Sequence, residues 1–240
     1  MGPGIREAVQ RFRTSTEPVI SLLRDLLWVF LVVGGIALTL FVVSGTWPAV
    51  VTVESESMVP HMNVGDLVFV VAKDRFGPLT SWEEGKISGF QSFGDYGNVI
   101  IYRPNGDTGI HPIIHRAMFW IEAGEVVQVA SPGTGRLYIP PHEGYITKGD
   151  HNPTIDQVGE IEGIGQIEPV ERDWIVGKAL FAVPFLGYPA LYLPQFAALI
   201  IIILILHELY LSSREKKEKA SREKRPGKKR RDQKTRQAME

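Results

Sequence analysis

Three groups of residues carry side chains that could do chemistry together. They are Ser57 in VESESMVPHM, His115 in PIIHRAMFW, and the pair Asp150 and Asp156 in TKGDHNPTIDQ. A serine hydroxyl becomes a useful nucleophile only when a base takes its proton. An imidazole suits that role because it exchanges protons near neutral pH. A carboxylate can then hold the ring in one tautomer and stabilise its protonated form. Each group also has a plainer meaning by itself: a turn serine, a hydrogen-bonded core histidine, and an Asx turn. Only their combination argues for nucleophilic catalysis.

A metal site is the competing use of the histidines. His111 and His115 show H-x-x-x-H spacing, with His142 and His151 further along. On a helix the first two would share a face, but Pro112 and the β-branched Ile113 and Ile114 argue for a strand, and the glutamate of H-E-x-x-H is missing. No metal and no other cofactor is expected.

The elements that must position these residues lie between two apolar segments. Residues 26–46 hold 21 residues without a charge, which at about 1.5 Å per residue spans a bilayer core. With 25 residues before it and no A-x-A site before Trp47, a retained anchor is expected, with an unusually long cleaved signal as the alternative. Residues 190–207 are expected to form a second span, whose start is open because the apolar stretch runs back to Phe181. Residues 211–240 carry 13 Lys and Arg against 5 Asp and Glu, whereas residues 47–189 carry 9 against 18. Basic flanks stay in the cytoplasm, so the expected layout is a cytoplasmic segment 1–25, a span 26–46, an exported domain 47–189, a second span 190–207 and a cytoplasmic tail 208–240. The enclosing membrane is expected to be the cell membrane. The tail is read as a topogenic, lipid-attracted segment; with no aromatic residue among its charges from residue 211 onward, nucleic acid is not an expected partner. The chain has no cysteine, so the exported domain must fold without disulfides.

Within that domain the runs LVFVVA, NVIIYRP, PIIHRAMFWI, EVVQVA, RLYIP and GYITKGD are short, β-branched and separated by turn residues. They predict a mainly antiparallel β domain with turns at Pro104–Asp107 and Ser131–Gly135 and no helix of three turns. Trp47 and the stretch FAVPFLGYPALYL, residues 181–193, are placed as a belt at the membrane interface, so that a site near Ser57 would face the membrane surface.

Taken in order, Ser55-Glu56-Ser57-Met58-Val59-Pro60 with Gly65-Asp66, Ile114-His115-Arg116, and Lys148-Gly149-Asp150-His151-Asn152 with Asp156 resemble the conserved boxes of type I signal peptidases. The segment 174–188, WIVGKALFAVPFLGY, is similar to that family's C-terminal stretch. A histidine before Arg116, where bacterial members have lysine, resembles the archaeal and endoplasmic-reticulum branch. The resemblance implies a signal peptidase-like, mainly antiparallel β catalytic domain. It also implies Ser57 as nucleophile, His115 as general base, and Asp156 or Asp150 as the acid that orients it. The oxyanion would be held by the Ser57 backbone N–H with help from Ser55, and Met58 and Pro60 complete the substrate-binding box. Two positions depart from the family: Glu56 stands where glycine is usual, raising a question about backbone torsion, and His151 replaces an asparagine, offering an alternative base. The acidic exported domain and the lack of cysteine point to an archaeal, salt-adapted source.

The function these features imply is a membrane-bound serine endopeptidase that removes N-terminal signal peptides from exported preproteins. Its expected partners are those preproteins, membrane lipid and the protein-export channel. An inactive relative that binds signal peptides or scaffolds the export machinery is the alternative, and a protease of the same fold acting on other membrane proteins is a third.

Overall fold

The computed structural model describes residues 3–131 and 134–223. The basic tail from Lys224 onward, and Pro132 and Gly133 of the expected Ser131–Gly135 turn, lie outside the described residues. The chain divides into two compact units with the boundary after Tyr188.

The first unit begins with helix α1 (Pro3–Thr14) and helix α2 (Pro18–Ser44). Pro18 sits where a helix start lacks hydrogen-bond partners for its N–H groups, and Gly45 ends α2 in the left-handed region (φ 71°), its N–H donating to the Phe41 carbonyl. Arg24 Nη1 donates to the Arg13 carbonyl at 2.8 Å and ties the two helices together. The 18-residue apolar core of α2 is unburied by protein, the condition of a helix suited to lipid.

Twelve strands follow among the described residues: β1 (Val50–Thr52), β2 (Leu67–Val71), β3 (Gln91–Ser92), β4 (Asp95–Tyr96), β5 (Val99–Tyr102) and β6 (Ile113–Ile121), then β7 (Val127–Ser131), β8 (Thr134–Tyr138), β9 (Gly144–Lys148), β10 (Glu160–Ile161), β11 (Gly165–Gln166) and β12 (Ile175–Val183). Six of them form one sheet in the order β1-β2-β12-β5-β6-β9. All neighbours in it are antiparallel. The rest pair as the hairpins β3–β4, β7–β8 and β10–β11. The mainly antiparallel β architecture expected from the sequence is the one observed.

The sheet is covered on both faces, as the period-two alternation of a strand requires of a central element. In β5, Val99 and Ile101 pack with Val53, Met58, Met62, Val68, Val70 and Ala179. Ile100 and Tyr102 pack with Ala117, Tyr145, Val170 and Ile175 on the other side. A smaller cluster of Ile121, Tyr138 and Ile146 closes the far end of β6.

Two local features add to what the sequence suggests. Phe181, Ala182 and Val183 belong to β12, which lies between β2 and β5. That part of the apolar stretch before the second span is therefore sheet. A two-turn helix α3 (Trp82–Ser88) also stands in the domain, held by a capping box in which Ser81 accepts from the Glu84 N–H and Glu84 accepts from the Ser81 N–H. The S-x-x-E pattern at Ser81–Glu84 is the sequence signal for it.

In the second unit a helix runs from Leu193 to Glu223, and its portion Leu193–Arg214 is long and apolar enough to cross a membrane.

Candidate active site

Strand β6 delivers His115 and Arg116 side by side, and strand alternation sends them to opposite faces of the sheet. Each finds a different acid from the loop after β9. His115 Nδ1 lies 2.6 Å from Asp156 Oδ2, with the two side chains 10% and 5% exposed. The same Asp156 oxygen accepts from the Tyr102 hydroxyl at 2.9 Å, and that hydroxyl accepts from Thr147 Oγ1 at 3.2 Å. Gln157 completes the chain by accepting from the Thr147 N–H and donating to Thr147 Oγ1, both at 3.1 Å. Burial, and then the nearby Asp156, push the Tyr102 phenol well above its ordinary range. It therefore stays a neutral donor to Asp156.

Arg116 is 1% exposed. Its Nε and Nη2 donate to the two oxygens of Asp150 at 2.8 and 2.7 Å. The guanidinium also donates to main-chain carbonyls of the β3–β4 hairpin and of Gly97. His61 Nδ1 lies 2.7 Å from Asp150 Oδ2. Burial raises the Asp150 pKa, but the Arg116 hydrogen bonds and charge, assisted by His61, outweigh it and hold the carboxyl below its usual range. Asp150 is thus a paired carboxylate in contact with Arg116 and His61, and Asp156 is the acid in contact with His115.

Ser57 is half-buried in a single 3-10 turn, Glu56–Met58, between the first anchor and β2. Its Oγ is 3.1 Å from Ser55 Oγ, and its carbonyl accepts from the His151 N–H at 2.9 Å. Gly149 separates this turn from the histidine. A methyl group at Gly149 would stand 2.6 Å from the Ser57 carbonyl oxygen, 2.7 Å from Asn152 Nδ2 and 2.8 Å from His115 Nε2. Only a residue without a Cβ leaves the Ser57 turn and the free nitrogen of His115 that close.

The remaining candidates take distinct places. Met58 is 1% exposed and belongs to the core that anchors the turn, whereas Pro60 is exposed. Ser55 is exposed and extended (φ −132°). Glu56 is exposed and is not among the residues with positive φ. Its backbone therefore makes no demand that glycine alone could meet. The His151 side chain is exposed, and its backbone N–H is what reaches Ser57. Tyr102, His61, Gly149 and Arg116 are parts of the constellation that reasoning from residue chemistry passed over. For Arg116 and Gly149 the signal was their place beside His115 and Asp150.

Chemically, a carboxylate on Nδ1 of a buried imidazole fixes the tautomer that leaves Nε2 with a lone pair, and a serine turn adjoins that nitrogen. That is an arrangement for acyl transfer.

No protein-family model matches the chain. Among curated proteins it is 30% identical over 159 residues to the signal peptidase complex catalytic subunit SEC11 of Schizophyllum commune, a match covering 66% of this chain and 71% of that protein. It is 28% identical over 156 residues to the corresponding subunit of Sclerotinia sclerotiorum, covering 65% and 70% of the two chains. Both organisms are fungi, so these relatives lend no support to the archaeal source suggested by the acidic exterior. With the fold and these two likenesses together, the chain belongs to the type I signal peptidases, in the group of the signal peptidase complex catalytic subunits.

Proposed function

We propose that this chain is the catalytic subunit of a membrane-bound signal peptidase, a serine endopeptidase in which Ser57 is the nucleophile, His115 the general base and Asp156 the acid that orients it. The observation that carries the assignment of roles is the 2.6 Å contact between His115 Nδ1 and Asp156 Oδ2, made beside the Gly149 gap that faces Ser57.

In this mechanism Ser57 Oγ turns from Ser55 toward His115 Nε2 and attacks the scissile carbonyl while Nε2 takes its proton. Asp156 stabilises the imidazolium. The tetrahedral intermediate collapses as the imidazolium returns the proton to the leaving amine. Water, activated by the same nitrogen, then hydrolyses the acyl-enzyme. The Ser57 N–H and the Ser55 hydroxyl are the donors assigned to the oxyanion in this reading. Met58 contributes by packing the turn, and exposed Pro60 is the residue of this box assigned to contact with substrate. The substrate is the signal peptide of an exported preprotein, bound extended.

The helices Pro18–Ser44 and Leu193–Glu223 anchor the enzyme, and the charge pattern supports cytoplasmic termini with an extracytoplasmic catalytic domain. The complex named for the relatives supports assembly of this chain with further subunits. The test is cleavage of a signal-peptide-bearing preprotein in membranes by the wild type, Ser57→Ala and His115→Ala. Loss in both variants is expected, and full activity of Ser57→Ala would end the mechanism.

A further inference from the structure

We infer that His61 is a positioning residue for the nucleophile: its hydrogen bond to Asp150 fastens the turn that carries Ser57 to the strand that carries His115. The inference rests on Ser57 being the nucleophile.

The geometry begins with the proton. A carboxylate only accepts, and Asp150 is held ionised by its neighbours. His61 Nδ1 therefore carries the hydrogen and donates it across 2.7 Å to Oδ2. The oxygen it reaches also accepts from Arg116 Nη2, and the other oxygen accepts from Arg116 Nε. Arg116 follows His115 directly in β6. One carboxylate thus joins the residue after the base to a residue four positions beyond the nucleophile.

The His61 ring has little freedom to move away. A methyl group at Gly94 would stand 2.7 Å from its Cδ2, so the ring lies against the β3–β4 turn. The Arg116 guanidinium donates to the Ser92 and Tyr96 carbonyls of that same hairpin. On the other side, the N–H groups of His61 and Met62 both bond to the Met58 carbonyl, and Met58 and Met62 are 1% and 0% exposed. The segment from Met58 to Met62 is therefore tied together by its own hydrogen bonds and by two buried side chains. With Ser57 it is clamped to residues 149–151 at two points, one from the His151 N–H to the Ser57 carbonyl and one from His61 to Asp150. Gly149 stands between the clamps, where the Ser57 carbonyl and His115 Nε2 approach. Releasing one clamp lets the nucleophile drift, and a misplacement of about 1 Å costs on the order of 100-fold in rate.

The test is steady-state cleavage of a signal-peptide-bearing preprotein by the full chain in lipid bilayers, with Ser57→Ala as control. His61→Leu fills the space without a donor, and His61→Asn places an amide N–H near the position of Nδ1. His61→Leu is expected to lower kcat at least about tenfold with KM within about twofold, and His61→Asn to recover to within about threefold of wild type. With Ser57→Ala inactive, wild-type kcat in His61→Leu overturns the inference. Equal impairment of the leucine and asparagine variants overturns it too, because packing alone would then explain His61. Activity in Ser57→Ala would instead overturn the nucleophile assignment itself.

Discussion

His115 and Arg116 are neighbours in one strand, yet they take different acids from one loop: Asp156 lies 2.6 Å from His115 Nδ1, and Asp150 chelates Arg116 at 2.7 and 2.8 Å. The division follows from the alternation of strand side chains between two faces. Two carboxylates six residues apart thereby take separate places, one beside His115 and one at the joint of the framework.

Asparagine replacements test whether the two have separable roles. Asp156→Asn keeps a hydrogen-bond acceptor for Tyr102 but removes the charge that favours an imidazolium, so kcat is expected to fall roughly 100- to 10,000-fold with a modest change in Tm. Asp150→Asn leaves the Arg116 guanidinium, 1% exposed, without its counter-charge, at a cost of about 3–5 kcal/mol in stability. The Asp150 carboxyl is depressed in the folded state. Its contribution is therefore complete above the unfolded value of about 3.9 and is lost as pH falls through the lower folded value. Urea midpoints followed from neutral into acid should decline less steeply in Asp150→Asn than in wild type. Equal kinetic and thermal losses in the two variants would contradict the division.

Tyr102→Phe tests the support behind Asp156. The phenol is 0% exposed, donates to Asp156 and accepts from Thr147. Removing it leaves Thr147 short of a partner, and a loss of about 1–3 kcal/mol is expected. Burial, and then Asp156, raise the folded pKa of this group above its ordinary value of 10.0. Its stabilising contribution is thus full below the unfolded value and is lost as pH rises from there through the folded value. Tyr138, pushed up to about 12, and Tyr145, also raised, act in the same direction. The variant should therefore show a smaller alkaline loss of stability rather than none, measured by denaturant midpoints on both sides of about pH 10. An unchanged alkaline slope would mean that burial and Asp156 do not raise the Tyr102 phenol in the folded state.

How far the sequence discloses this site depends on what each residue's neighbours are. The runs that became β2, β5, β6 and β9 are short, β-branched and bounded by turn residues, so local composition suffices to find them. Strand β12 escapes the same rule because Gly177 and Lys178 interrupt it, and both are explained only by three-dimensional contacts. A Cβ on Gly177 would lie 2.5 Å from the Val71 carbonyl oxygen, and Lys178 Nζ donates to the Gly77 carbonyl at 2.7 Å. The types and order of Ser57, His115 and the loop acids are legible, since nucleophilic catalysis needs those types. Which acid meets which base is not. Strand parity separates His115 from Arg116, but nothing in the local sequence says which way the loop turns to present Asp150 and Asp156. The doubt over Glu56 likewise ends only with its backbone, which lies outside the positive-φ region.

Gly149→Ala is the smallest change that should disable the enzyme without replacing a residue assigned to the reaction. Its methyl would meet the Ser57 carbonyl oxygen at 2.6 Å and His115 Nε2 at 2.8 Å. The first contact is with main chain, which cannot rotate aside as a flexible side-chain end would. Separation of the Ser57 turn from His115 is expected, with kcat reduced about 100-fold or more and far-ultraviolet circular dichroism unchanged. Cleavage at the wild-type rate would show that the gap between Ser57 and His115 is wider in the working enzyme than Gly149 implies.

The chain's lack of cysteine gives a direct check of its orientation in the membrane. Phe76, 66% exposed, lies in the β-rich domain, and Ser213, also exposed, lies toward the end of the helix Leu193–Glu223. Residues 211–240 carry a net positive charge and residues 47–189 a net negative one, so the basic end is expected in the cytoplasm. A membrane-impermeant maleimide added outside sealed cells or right-side-out vesicles should label Phe76→Cys and not Ser213→Cys. Permeabilisation should then expose Ser213→Cys. Labelling in the opposite order would place the catalytic domain on the cytoplasmic side, where a signal peptide emerging from the far face of the membrane could not reach Ser57.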